Sequence, residues 1–148
     1  MTLLEKVKKL SWFEWRVILA ATFMLPVCSL YLRFLGLVRT QERLCSSPVR
    51  PSGLSAEDEL ATALQIARAV DLAALYGLYR ANCLKRSLVL CWFLRRRGIN
   101  FDLRIGADLA DGALHAHAWV EHAGVLLNDS VDVAERFAAL KPGDERKA

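Results

Sequence analysis

Three residues of types that together can transfer acyl groups stand along the chain in the order Cys83, His117, Asp129. In such a set the thiolate attacks a carbonyl, the imidazole protonates the leaving amine and then activates water, and the carboxylate orients the ring and stabilises its charged form. Placement is what raises them above a list. Asn82 is a good N-cap, so Cys83 falls at the first position of a helix running through Ala81–Gly98, against partial positive charge and unpaired N–H groups that favour a thiolate. The Cys83 backbone N–H is the expected oxyanion donor. No glutamine stands a few residues earlier to supply a second one.

The base comes from a different kind of element. His115-Ala-His-Ala-Trp-Val-Glu121 alternates as a strand, with His115, His117, Trp119 and Glu121 on one face and Ala116, Ala118 and Val120 on the other. A three-residue connection, His122-Ala123-Gly124, pairs Glu121 with Val125 and so sets His117 opposite Asp129. Opposed residues hold their Cβ atoms about 4.5–5.5 Å apart, close enough for a carboxylate to fix the tautomer of an imidazole. A two- or four-residue connection would lose that register. His115 shares the face but lies opposite Val131, which makes His117 the better base.

Plainer readings of these residues exist. A strand histidine beside an aspartate is more often a satisfied hydrogen-bond pair, and a cysteine on an apolar helix stripe, such as Cys91, behaves as a small hydrophobe. Cys28 lies inside an apolar run and Cys45 in a loop. With no CxxC spacing, the four cysteines suit a reducing cytoplasm rather than a disulfide framework. A zinc site from Cys83, Cys91, His115 and His117 matches no common ligand spacing.

The elements that must position the set follow from periodicity. At 148 residues one domain is expected, with 1–53 forming apolar helices and a connecting loop, 54–140 the core and 141–148 a polar tail. Ser11 and Glu14 stand in capping-box spacing ahead of a run from Val17 to Leu32 that is interrupted by Pro26. Those sixteen residues fall short of the ~20 of a membrane span and carry no cleavage site for a signal peptide. A buried helix pair broken or kinked at Pro26 is expected, with an interfacial membrane helix as the alternative. Arg39–Gly53 reads as loop; Ser55 then caps a helix to Tyr79 whose inner face is Leu60, Leu64, Ala67, Val70, Ala74 and Leu78. After Gly98 the period changes to two: a strand through Phe101, Leu103 and Ile105, a turn at Asp108–Gly112, the histidine strand, and a third strand from Val125 to Asp129. The stretch to Leu140 is expected to hold one more short strand or helix. The class is α+β. A net charge of +4 spread along the chain, with no nucleic-acid motif, reads as solvated faces.

Five segments in order, Cys-Leu-Lys-Arg-Ser-Leu from Cys83, Leu-Arg-Arg-Arg-Gly-Ile from Leu94, Leu-Arg-Ile-Gly from Leu103, His-Ala-Trp-Val-Glu from His117 and Leu-Asn-Asp from Leu127, resemble the B-type leader peptidase of lasso-peptide biosynthesis, over roughly Ser55–Ser130. The resemblance implies a papain- or transglutaminase-like fold, with N-terminal helices packed on a small antiparallel sheet and the nucleophile at a helix N-terminus. It implies Cys83, His117 and Asp129 as the triad, no cofactor and no metal. The implied reaction cuts the leader from a ribosomally made precursor peptide so that an asparagine-synthetase-like cyclase can close the core. The fifty or so residues before Ser55 are helical rather than strand-rich, which resembles the split form and implies a separate leader-recognition protein as partner. The apolar helices or the Arg95–Arg97 cluster are candidate docking surfaces. The expected location is cytoplasmic, with peripheral membrane contact through the N-terminal helices left open. A catalytically silent scaffold that presents the leader, or another transglutaminase-like amide hydrolase or acyl transferase, is the alternative function.

Overall fold

A computed structural model describes residues 9–46, 50–110, 112–129 and 138–139, which form three helices and a four-stranded antiparallel sheet. Helix α1 (Trp12–Leu44) starts at the expected capping box: the Glu14 amide donates to Ser11 Oγ at 3.2 Å, and the Ser11 amide donates to Glu14 Oε2 at 2.8 Å. The expected break at Pro26 is not there. The backbone stays helical through Pro26, because its neighbours Leu25 and Cys28 are locked in the core and their packing outweighs one missing N–H donor. The break falls instead at Gly36 (φ 75°, ψ 175°), where a residue without Cβ can leave the helical region; Thr40 Oγ1 donates to the Gly36 carbonyl at 2.7 Å in the segment that follows. The helix is also not buried on all sides, since Leu19, Phe23, Leu30 and Phe34 face outward. It is long and apolar enough to cross a membrane, by length and composition alone, and it is the one such helix among the described residues.

Helix α2 (Ala56–Tyr76) is capped by Ser55, whose Oγ accepts from the Asp58 amide, and its first turn carries Glu57, Asp58 and Glu59 at the positive end of the dipole. It stops at Tyr76 rather than Tyr79. The Gly77 amide donates to the Ala73 carbonyl, and a Cβ on Gly77 would lie 2.2 Å from that oxygen. The buried face keeps Ala67, Val70 and Ala74 of the expected one, with Leu60 partly buried against the core, and adds Ala63, Ile66 and Ala73, while Leu64 is exposed and Leu78 fully so. Alanines on the inner face let α1 and α3 come close, and close packing of backbones outweighs burying two more leucines.

Helix α3 (Cys83–Arg97) is the central element. Its five consecutive residues Ser87–Cys91 are all buried, because α1, α2 and the sheet enclose it. Arg95, Arg96 and Arg97 complement the dipole in its last turn, and Gly98 closes it in the left-handed region (φ 73°), with its amide donating to the Arg95 carbonyl.

Strand β1 (Asp102–Ala110) pairs antiparallel with β2 (Ala113–His122), Asp102 facing Glu121 and Ala110 facing Ala113, so the first strand runs past the turn expected to begin at Asp108. Gly112, just ahead of β2, takes the positive φ (76°) that a tight hairpin turn needs. Strands β3 (Val125–Leu126) and β4 (Ala138–Ala139) flank the pair in the order β3-β2-β1-β4.

Candidate active site

Cys83 lies where its sequence position requires. Asn82 is the N-cap, its Oδ1 accepting from the Lys85 amide at 3.1 Å and its carbonyl accepting from the Arg86 amide. These bonds use the third and fourth amides of the helix; the first two, of Cys83 and Leu84, stand in the first turn, where the helix itself offers no acceptor. The thiol is half-buried and reduced. Lys85, in the same turn, donates through Nζ to Tyr79 Oη at 2.7 Å, and Tyr79 in turn donates to Ser29 Oγ of α1; the lysine bond pulls the phenol below its ordinary pKa. The turn that carries Cys83 is thereby tied to α1.

The other cysteines sit in contrasting surroundings. Burial pushes the Cys28 thiol up to about 12, and burial together with Cys45 pushes Cys91 well above the thiol range. Eight residues separate Cys91 from Cys83, about 12 Å along the axis, so the two do not share a metal. Among the described residues no group of three His, Cys, Asp or Glu side chains is placed to hold one.

His117 and Asp129 do meet: His117 Nε2 is hydrogen-bonded to Asp129 Oδ2, with both side chains about one-fifth exposed. Trp119, 2% exposed on the same strand face, stacks against the imidazole and is fixed by its own Nε1 donating to Glu121 Oε1 at 2.8 Å. His115 is exposed, away from this contact.

The pair forms by a route that differs from the expected one. His122 faces Val125 and Glu121 faces Leu126, so the connection is two residues, Ala123 (φ 49°) and Gly124 (φ 79°), rather than three. His122 belongs to the strand because its imidazole is buried and bound to the Asn100 carbonyl, with Glu59 3.9 Å away. Continued without change, that register would set Asp129 opposite Ala118 and turn it from the histidine. The ladder stops instead. The Leu127 amide still donates to the Val120 carbonyl, but the Val120 amide donates to the side-chain Oδ1 of Asn128 at 2.9 Å. An amide side chain thus replaces the next backbone carbonyl, the chain bends over 127–129, and the bend brings Asp129 onto His117.

Asn128 also donates through Nδ2 to Ser87 Oγ at 2.9 Å, and Ser87 Oγ donates to the Ala118 carbonyl at 3.0 Å. Both side chains are buried. Ser87 is one turn along α3 from Cys83, Ala118 follows His117, and Asn128 precedes Asp129. One hydroxyl and one amide therefore link the three segments that carry the cysteine, the histidine and the aspartate. Neither residue stands out from sequence as functional; the signal was the Leu-Asn-Asp segment, in which Asn128 is next to the aspartate.

A second acid lies nearby. Asp71 of α2 stands 3.5 Å from Arg86 of α3, and its carboxyl is pushed up to about 6 by burial, with the Asp129 charge adding and Arg86 opposing. Asp71 Oδ1 and Arg86 Nε are buried without a hydrogen-bond partner among the described residues.

Comparison of the sequence with known families shows that the chain belongs to the Transglutaminase-like superfamily, whose profile matches residues 26–141. That superfamily includes cysteine peptidases and acyltransferases. No curated protein and no solved structure matches the chain.

Proposed function

We propose that the protein is a cysteine peptidase that removes the leader from a ribosomally made lasso precursor, with Cys83 as nucleophile, His117 as base and Asp129 as orienter. The observation that carries this reading is the His117–Asp129 pair, held by Ser87 and Asn128 to the helix that begins at Cys83. The superfamily supplies the chemical class, and the five motif segments in order support the substrate.

Cys83 Sγ attacks the carbonyl at the end of the leader, forming a tetrahedral oxyanion toward the Cys83 and Leu84 amides. With Nε2 engaged by Asp129, His117 exchanges its proton through Nδ1. It takes the thiol proton and delivers it to the core's amine as the C–N bond breaks, leaving a leader thioester on Sγ. Water attacks the thioester with His117 as base; the leader leaves as a carboxylate and the thiol is restored. Asp129 keeps the ring in one tautomer and stabilises its cationic form.

The opposite end of α3 suits an extended peptide. Arg50, Pro51, Trp92, Arg95, Arg96 and Arg97 line a cleft of about 480 Å³, and Cys83 lies about 20 Å away along the axis, the reach of about six extended residues. A separate leader-recognition protein presents the leader, and the cyclase takes the released core. Cys83→Ala and His117→Ala are expected to abolish cleavage of a precursor supplied with its leader-recognition protein, while circular dichroism stays unchanged. Normal leader removal by Cys83→Ala refutes the assignment.

A further inference from the structure

Between Arg16 and Arg33 helix α1 carries no charged residue and has apolar residues on every side, and such a helix is ordinarily covered all round. Here Val17, Ala21, Leu25 and Cys28 are buried on one side, while Trp12 (79% exposed), Leu19 (59%), Phe23 (74%), Leu30 (53%) and Phe34 (76%) form the opposite one. Trp15 and Val27 complete the stripe at steps of three and four residues, from Trp12 to Phe34, a length of about 33 Å. At 100° per residue Arg16 and Arg33, both exposed, fall on the same side, one toward each end of the stripe. Glu14 is the one carboxylate between Ser11 and Arg39, and it is buried in the capping box near Arg68. In the sequence just ahead come Lys6, Lys8 and Lys9 against Glu5.

We propose that this stripe is a docking surface for an anionic lipid membrane, on which α1 lies in the plane of the interface rather than crossing it. Three observations select this occupant. The opposite side of the helix is the protein's own core, so α1 cannot enter the bilayer lengthwise without exposing Leu25, Cys28 and the alanine face of α2. The exposed charges on the stripe are both cations, which complement anionic headgroups. A second copy of the chain fits poorly: antiparallel pairing would set Arg16 of one copy beside Arg33 of the other, and parallel pairing would set each beside itself. Trp12 and Trp15 stand at one end, where indole rings favour the headgroup boundary. There the apolar surface widens into a groove of about 280 Å³ that Trp15 and Ile18 share with Leu72 and Tyr76.

The test is co-sedimentation of the full chain with phosphatidylcholine vesicles, with and without phosphatidylglycerol, over a range of salt. Binding is expected to require phosphatidylglycerol and to weaken as salt rises. Phe23→Gln with Leu30→Gln is expected to lower the partition coefficient at least about tenfold, and Arg16→Gln with Arg33→Gln about 25-fold at low salt, at roughly fivefold for each cation. Both pairs are exposed, so the fold, followed by circular dichroism, stays intact. Failure to bind, equal binding to neutral vesicles, or retention that resists both salt and these substitutions overturns the proposal. So does a dimer in light scattering that Phe23→Gln with Leu30→Gln dissolves, which would give the stripe to a second copy. Leader cleavage of a soluble precursor is a separate readout, unaffected by either outcome.

Discussion

Truncating Asn128 tests the linkage that holds the candidate site together. Its side chain makes two buried hydrogen bonds, accepting from the Val120 amide and donating to Ser87 Oγ, each at 2.9 Å. Asn128→Ala leaves the Val120 amide, in a residue with no exposed surface, without an acceptor, at a cost of about 1–3 kcal/mol. Ser87 keeps its bond to the Ala118 carbonyl and loses a donor, adding about 1 kcal/mol. The sum is about 2–4 kcal/mol, and for a chain of this length that lowers the melting temperature by about 6–12 °C. Ser87→Ala removes the shared bond from the other side, so the double variant is expected to be about 1 kcal/mol more stable than the two single losses predict. Differential scanning calorimetry of wild type, both single variants and the double variant measures all four corners. A loss under about 0.5 kcal/mol for Asn128→Ala, or strict additivity in the cycle, refutes the reasoning.

Three further expectations rest on the same geometry. Asp71 binds its proton more tightly folded (about 6) than unfolded (3.8), so the stability it contributes is complete below pH 3.8 and lost as pH rises through 6; Asp71→Asn flattens that decline by about 3 kcal/mol, measured by urea unfolding across the range. Iodoacetamide at neutral pH is expected to alkylate Cys83 ahead of Cys28 and Cys91, whose buried thiols stay protonated; peptide mapping that shows no preference for Cys83 favours the silent scaffold. Asp129→Asn is expected to lower kcat for leader cleavage more than it raises KM, and an unchanged rate would mean that the pairing with His117 is not used in turnover.

What the sequence disclosed and what it hid divide by range. The cap at Asn82, the capping box of Ser11 and Glu14 and the left-handed Gly98 are local chemistry, settled by residues within four positions, and all three stand as read. Pro26 and two leucines of α2, Leu64 and Leu78, depart from the local pattern because packing decides them: the core holds a proline in a helix, and alanines displace leucines where helices approach closely. The hairpin shows both effects. Its turn is shorter by one residue because His122 is held in the strand by Asn100, twenty-two residues earlier, a partner that no local pattern reveals. The register that would pair Glu121 with Val125 and so set His117 opposite Asp129 is absent, yet the two side chains meet. They do so because Asn128 interrupts the ladder, a role visible only once Ser87 and Val120 are beside it.

The most direct test of Cys83 as the nucleophile that His117 activates is covalent trapping. A leader peptide ending in a vinyl sulfone, presented with the leader-recognition protein, should add to one thiol of the four, and tryptic mapping should place the adduct on Cys83. His117→Ala should slow that labelling by about 100-fold or more, the scale of a lost general base. An adduct on Cys45, or cleavage of the precursor by a chain in which Cys83 takes no label, contradicts the account.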